Sequence, residues 1–360
     1  MKRPGKSLSD VHACACRSVS ADGGTDCAER KNVPGTRWVL IFLLSCAGLS
    51  GAAQQYSPRT HFYENSLAYN PATAGIEEEI PIRLNFRQQW TGLKDAPYSQ
   101  TLSSNGFTGR HLGLGLVLYN DAAGPSRNTG MQASVARHFA LDDDGKRWFS
   151  FGMAMLLYQY KFDVRRLETD VPNDPAVTAL AQQNSRLVPD VAAGFYINDE
   201  NGFVGISCLN LIQTKSDILT SPDNVNTIER GYYLFAGYRF PLNESFSLEP
   251  VTLVKMTETA AWQADVMVKA NYNQYWGGLS YRTNDAVSAL FGVRVDMFSF
   301  SYSYDYPVSE IGSFNKGTHE VTATVHIFNA TSRSGSVSRE GGGGGGVRDR
   351  SFNPVPKRRR

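Results

Sequence analysis

Hydroxyl, imidazole, carboxylate and thiol groups are the side chains that could carry a reaction here, and their spacing can be tested directly. Downstream of the N-terminal region the histidines are His61, His111, His138, His319 and His326. Ser134 and His138 share one face of an alternating run, the pair a hydrolase would use. Four residues of extended chain hold them about 13 Å apart, too far for proton transfer. No serine stands in a nucleophile-elbow setting, and there is no HExxH or paired-cysteine metal motif. Asp142-Asp143-Asp144-Gly145 suggests calcium but lacks the EF-hand spacing and its closing glutamate, and reads as a solvated turn. His12-Ala13-Cys14-Ala15-Cys16 looks like a ligand cluster, yet it lies upstream of an export signal. The glycines are scattered rather than gathered into a phosphate cradle, and within strands they ease curvature and close packing. The residues therefore imply no enzyme, no metal and no cofactor.

The elements that hold these residues are read from composition and periodicity. Of 360 residues 41% are hydrophobic and 19% charged, with 33 glycines and 17 Tyr, 19 Phe and 5 Trp. Mean hydropathy is −0.32, which excludes a bundle of membrane-spanning helices; each such helix needs about 20 apolar residues. The one apolar stretch, Trp38 to Leu49, follows Arg37 and leads into Ser50-Gly51-Ala52-Ala53, the pattern of a secretory signal cleaved before Gln54. A signal anchor is the competing reading, and Cys46 after Leu43-Leu44-Ser45 raises a lipoprotein site. Residues 1–36 are long and polar for an n-region, which points to a translation start near Val33. Loss of the leader removes Cys14, Cys16, Cys27 and Cys46, leaving Cys208 alone, as suits an oxidising compartment.

From Ile80 to Phe328 the pattern has period two. Ile80, Ile82, Leu84 and Phe86 oppose Arg83, Asn85 and Arg87; Phe298, Phe300, Tyr302, Tyr304 and Tyr306 oppose Ser299, Ser301, Ser303 and Asp305. Successive strand side chains point to opposite faces, so each segment has one apolar and one polar wall. Turn residues divide the region into fourteen strands: 80–90, 98–107, 111–119, 130–139, 148–160, 189–197, 202–210, 231–240, 246–254, 261–270, 274–282, 286–295, 297–306 and 318–328. An even number of strands of this length is what an outer-membrane barrel requires.

Connection lengths supply a second test. The odd-numbered connections total 85 residues and the even-numbered ones 24. That asymmetry matches long outer loops, short periplasmic turns and both termini in the periplasm. Trp90 and Trp262 are expected at the outer rim, with Trp148 and Trp276 at the periplasmic rim. Arg83, Arg87, Arg239, Asp265, Lys269, Arg282, Arg294 and Asp305 are expected to face the lumen, as mixed charges that fill a barrel interior. Residues 54–79, ahead of the first strand and carrying Pro58 and Pro71, can plug that lumen or dock a periplasmic partner.

Six segments carry a resemblance: 54–75 (QQYSPRTHFYENSLAYNPATAG), 87–103, 112–130, 230–240, 281–293 and 302–321 (YSYDYPVSEIGSFNKGTHEV). In order and spacing they resemble the PorP/SprF family of type IX secretion system membrane proteins, over essentially 54–328. The residues before the leader and the basic tail depart from that pattern. The resemblance implies a non-catalytic outer-membrane protein. Its role would be secretion or surface anchoring of large adhesins with a C-terminal sorting domain, often beside gliding motility. Implied partners are outer-membrane lipid, that cargo, and the periplasmic ring or peptidoglycan-associated components. Motif positions carried over as structural or contact residues are Asn70, Pro71 and Gly75 before the first strand, with Trp90 and Pro97 at the first outer loop. Asn120, Asp121, Gly124, Pro125, Arg127 and Asn128 fall in the second. Tyr304, Asp305, Tyr306, Glu310 and Gly312 form the last outer loop with its flanks.

Asn120-Asp121 and Gly124-Pro125 also have plain turn chemistry. The largest outer connection, 161–188, with Asp163, Asp170 and Asp174, is the first candidate for cargo contact, since long loops are often functional. Residues 329–360 lose the alternation and end in Lys357-Arg358-Arg359-Arg360 after Gly341–Gly346, a flexible basic tail. Export argues against nucleic acid as its partner. The near-neutral whole is a cancellation: the leader carries 7 basic and 4 acidic residues, 54–328 carry 21 and 28, and the tail 8 and 2. A channel for small or hydrophobic solutes is the alternative function, and a barrel-borne lipid hydrolase a third.

Overall fold

The computed structural model describes residues 58–109, 111–163, 185–214 and 228–327. Fourteen antiparallel strands close on themselves: β1 (Ile80–Gln88), β2 (Tyr98–Phe107), β3 (Leu112–Ala123), β4 (Ser126–Ala140), β5 (Trp148–Phe162), β6 (Ser185–Asn198), β7 (Gly202–Leu209), β8 (Gly231–Tyr238), β10 (Phe246–Thr257), β11 (Gln263–Tyr272), β12 (Tyr275–Arg282), β13 (Ala286–Val295), β14 (Phe298–Pro307) and β15 (Thr318–Ile327). The two-residue β9 (Phe240–Pro241) continues β8 along β10 after a break at Arg239. Arg239 stands opposite Glu249, next to Pro250, which has no N–H to give the ladder. Each strand pairs with its neighbour in sequence, and β1 pairs with β15 from Ile80↔Ile327 to Gln88↔His319. Closure leaves no unpaired sheet edge, the condition for strands to cross a bilayer.

The burial is inverted relative to a water-soluble domain. Ile82, Leu84, Phe86, Leu116, Met155, Val266, Leu279 and Phe300 are exposed on the outside. Ser103, Asp265, Lys269, Ser303, Asp305 and Glu320 are buried inside. The period-two pattern therefore separates a lipid-facing surface from a polar interior. Both ends of the barrel strands, Ile80 and Ile327, lie at one rim, which also carries short turns such as Asn273-Gln274 and Asp296-Met297. Asn273 (φ 52°) and Asp296 (φ 51°) take the left-handed conformation that two-residue hairpin turns demand.

Two sequence expectations need correction. The second outer connection is not a ten-residue loop; it is the two-residue turn Gly124-Pro125. Asn120 pairs with Thr129 and Asp121 with Asn128 in the β3–β4 ladder. The ladder outlasts the hydrophobic alternation, because a strand that has left the apolar belt needs no apolar face. For the same reason β5 runs on to Phe162, and β6 begins at Ser185. The second correction concerns the tryptophans. Trp262 is exposed on the wall, but Trp148 and Trp276 are buried and point inward. In β12 the outward set is Tyr275, Leu279 and Tyr281, so Trp276 takes the opposite face. The leader, the tail, Asp170, Asp174 and the Glu310 side chain lie outside the described residues.

Candidate functional site

The chain ahead of β1 lies in the lumen. Thr60, His61, Phe62, Leu67, Asn70, Ala72, Thr73 and Ala74 are almost fully buried there, and the segment meets both halves of the wall. Its first described part sits level with the far end of β1. Arg59 is 3.8 Å from Asp121, and Asp121 lies across β2 from Arg87 in the register Arg87↔Ser99↔Asp121. From Ala74 and Gly75, packed against Gly113 and Gly106, the segment runs to Glu77–Glu79 at the short-turn rim, where β1 starts. Residues 58–79 thus thread the bore instead of remaining on the short-turn side, because their polar groups find partners along its whole depth.

Thr60 occupies the centre of a buried ionic cluster. Its N–H donates to Glu320 Oε2 at 2.8 Å, and its hydroxyl donates to the Asp305 carboxylate at 2.7 Å. The same oxygen accepts from Arg87 Nη1 at 3.1 Å and Arg282 Nη2 at 3.2 Å. Arg87 Nη1 is 2.8 Å from both Asp305 and Glu320. Arg282 Nε is 2.5 Å from Asp265, which Lys255 approaches at 2.9 Å. Lower in the bore, Lys269 is 3.5 Å from Glu249 and lies over the rings of Tyr63 and Trp276, 5.1 and 5.0 Å from their centroids. Each charge of this cluster has an opposite partner, the condition under which ions persist away from water.

The Asn70-Pro71-Ala72-Thr73-Ala74-Gly75 stretch fills the other half. Asn70 Oδ1 accepts from the Ala72 N–H at 2.9 Å and caps the short 3₁₀ turn Pro71–Thr73; its Nδ2 donates to the Phe195 carbonyl at 2.9 Å. Gln132 donates to the Leu67 carbonyl at 2.7 Å and Ser207 to the Tyr69 carbonyl at 2.6 Å. His138 Nε2 reaches the Ala74 carbonyl at 3.0 Å and its Nδ1 the Ser150 hydroxyl at 2.7 Å. A carbonyl only accepts, so Nε2 carries the proton and Nδ1 accepts from the serine. His138 thus bonds to Ser150, its cross-strand neighbour, rather than to Ser134.

Strand glycines form the socket that receives this turn. A Cβ at Gly113 would stand 1.9 Å from the Ala74 oxygen, at Gly152 2.3 Å from the Ala72 nitrogen, and at Gly194 2.1 Å from Asn70 Oδ1. Gly75 itself has φ +70° and touches Gly113 and Gly106 backbone at 2.6–2.8 Å from the position of its absent Cβ. No other residue fits there.

At the short-turn rim Arg83 pairs with Glu77 at 2.5 Å and Arg294 with Glu79 at 2.6 Å. His326 Nδ1 is 3.1 Å from Glu79, and its Nε2 is 2.9 Å from the Ser299 hydroxyl. Hydroxyl, imidazole and carboxylate stand in the order of a nucleophilic relay. Here Glu79 is also held by Arg294, and the set latches the exit of the segment to the wall. Burial pushes the Glu79 carboxyl up, but hydrogen bonds from His326 and Arg294 outweigh it and hold the group below its ordinary value.

Of the residues expected to face the lumen, Arg83, Arg87, Asp265, Lys269, Arg282 and Asp305 are buried inside it. Arg239, 2.5 Å from Glu249, and Arg294 lie nearer the short-turn rim. The motif residues divide into three groups. Asn70, Pro71 and Gly75 sit in the socket. Asp305 belongs to the buried ionic cluster, and the others gather at the long-connection rim. The Trp90 N–H donates to Thr318 and the Pro97 carbonyl accepts from Gln89. Asn120 donates to Gln100, the Gly124 N–H to Asp95 and Arg127 to the Tyr98 hydroxyl. Asn128 faces Asp121 across the ladder, and Pro125 accepts from Asp163. Tyr304 donates to the Lys316 carbonyl, Tyr306 is exposed, and Gly312 lies in the turn Glu310–Phe314. Thr60, Glu249, Lys255 and Glu320 were not singled out from sequence. For Glu249 and Lys255 the signal was masked, because Val251 and Leu253 share their inward face.

A closed wall with an apolar exterior, around a charged interior filled by its own N-terminal segment, defines a transmembrane β-barrel of the outer-membrane type. The chain belongs to the type IX secretion system membrane protein PorP/SprF family, which matches residues 51–325. No curated protein matches it. Among solved structures it is similar to the CymD monoaromatic hydrocarbon channel (10% identity, TM-score 0.44, 79% of this chain and 97% of that one). It is likewise similar to the Pseudomonas putida toluene transporter TodX (11%, TM-score 0.41, 78% and 96%) and to a KdgM porin (8%, TM-score 0.35, 68% and 98%).

Proposed function

We propose that this protein is a non-enzymatic outer-membrane component of the type IX secretion system. It supports secretion or cell-surface anchoring of large adhesin-like cargo with a C-terminal sorting domain. Family membership carries this reading, and the plugged lumen supports it: a bore held by Thr60, Arg87, Arg282, Asp305 and Glu320 suits a scaffold better than a conduit. A cavity beside Arg59, His61 and Glu320 measures about 10 Å³, room for a single water at most. The short-turn rim faces the periplasm, where the latch residues and the end of β15 are available to the periplasmic machinery or to peptidoglycan-associated proteins. The long-connection rim, with Trp90, Asn120, Arg127 and Tyr306, faces outward toward cargo. In a deletion strain, surface adhesins should be lost while small-solute uptake stays intact. Loss of uptake with adhesins retained would favour the alternative, a channel for small or hydrophobic solutes.

A further inference from the structure

Above the apolar belt, toward the long-connection rim, the outer face of β2–β6 carries two polar rows. The last apolar row on β2–β5 is Leu102, Leu118, Met131 and Leu157, each opposite the next in the ladder. Two residues further along each strand come Gln100, Asn120, Thr129 and Gln159, an uncharged row in which Asn120 donates to Gln100 at 3.0 Å and Thr129 to Asn120 at 3.3 Å. Beyond it stand Tyr98, Ala122, Arg127, Lys161 and Ser185. Arg127 and Lys161 are therefore direct cross-strand neighbours, both exposed and both cationic. Like charges in that register repel and cost stability, yet no acid stands in either row. Among the described residues neither cation pairs with a carboxylate, and Arg127 donates only to the neutral Tyr98 hydroxyl, at 3.1 Å. The cationic row lies four residues beyond Met131 and Leu157, about 13 Å of strand. At a strand tilt of about 40° that is about 10 Å along the membrane normal, outside the hydrocarbon and at the depth of lipid head groups. The parity that exposes Leu118 and Met155 on the wall directs both cations sideways into that layer. A guanidinium fork and an ammonium without counter-charge, flanked by hydroxyls, complement a phosphate, and the uncharged row of amides and hydroxyls beneath complements a sugar.

We propose that Arg127 and Lys161 bind the phosphate of an outer-leaflet glycolipid, whose sugar lies against the uncharged row below them. The choice of leaflet rests on the outward orientation of the long-connection rim; binding in detergent does not depend on it, so the two readings fail separately. The test is native mass spectrometry of the full chain in detergent with added hexa-acyl lipid A, in its phosphorylated and phosphatase-treated forms. Wild type should retain the phosphorylated form and bind the treated form far more weakly. A cation at the membrane surface contributes about fivefold, so Lys161→Gln should weaken binding about fivefold, and its combination with Arg127→Gln about thirtyfold. Arg137→Gln removes an exposed cation from the same face of β4 at the opposite rim and should bind as wild type does. Because Lys161→Gln also relieves the repulsion, it should unfold in lipid-free detergent at the same or a higher temperature than wild type, the opposite sign to its effect on binding. Heat-modifiable gel mobility reports whether the double variant is folded; if it is not, Lys161→Gln carries the test. No lipid A retained by wild type, unchanged binding in Lys161→Gln, equal binding of the phosphatase-treated form, or a lower unfolding temperature in Lys161→Gln would overturn the proposal. Displacement of the lipid by an equimolar acidic peptide would also overturn it, assigning the row to a polypeptide instead.

Discussion

Gly152 gives the most direct perturbation of the plug. A methyl group there would place its carbon 2.3 Å from the Ala72 nitrogen, 2.4 Å from the Pro71 carbonyl carbon and 2.5 Å from Ala72 Cα. Non-bonded carbons settle at about 3.5–4.0 Å, so the 3₁₀ turn must retreat by roughly 1 Å. β5 is held in the ladder on both sides and cannot yield. Such a shift carries Asn70 away from the Phe195 carbonyl, now 2.9 Å distant, and Ala74 away from His138, now at 3.0 Å. Overpacking costs about 1–3 kcal/mol and each lost hydrogen bond about 1 kcal/mol. Gly152→Ala should therefore weaken seating by about 3–5 kcal/mol, or about 10²–10⁴ in the ratio of seated to unseated plug. The assay is single-channel recording in planar bilayers, where the variant should open far more often than wild type. Gly277→Ala is the control, since its Cβ would meet only the Leu290 oxygen, at 3.7 Å. If Gly152→Ala stays as closed as wild type, or Gly277→Ala opens equally, the socket argument is wrong.

Further outcomes follow from the same geometry. Arg87→Ala leaves Asp305 and Glu320 buried without their shared cation, so urea unfolding in vesicles should show a loss of about 3–5 kcal/mol. Glu79 is held below its ordinary pKa in the fold. Its contribution is present above the unfolded value of about 4.3 and is lost as pH falls through the lower folded value. Acid unfolding should accordingly be less steep over that interval in Glu79→Gln. Mass spectrometry of the outer-membrane form should find Gln54 as the first residue. Because Arg59 already lies beside Asp121, and the four residues before Pro58 extend at most about 14 Å, a tag placed before Gln54 should be reached by antibody on intact cells. Accessibility only after permeabilisation would refute the threading of the plug.

How much was legible varied with the signal each element carries. Strand β1 is readable because Ile82, Leu84 and Phe86 meet lipid while Arg83, Asn85 and Arg87 meet the lumen, so its alternation is strict. The β3–β4 extension is not readable, since Asn120 and Asp121 leave the apolar belt and keep pairing with both faces polar. Trp276 shows a different limit. A tryptophan near a strand end fits the rim of a barrel equally well on either face, and only its register with Asn271 aims it at Tyr63. Glu320 lies on the polar parity of its strand, but nothing local marks it as the partner of Arg87.

By itself the sequence determined a barrel: period two over fourteen segments, an even count, and polar residues on one parity. These are properties of single strands and their order, set by which face meets lipid. Tertiary structure alone decided that the N-terminal segment packs inside the bore, because that depends on residues 260 apart, such as Thr60 and Glu320, meeting within the lumen. It also decided why Gly113, Gly152 and Gly194 are glycines. In the sequence they read as gaps in a strand pattern; in the folded wall they are the space that the Asn70–Gly75 turn occupies.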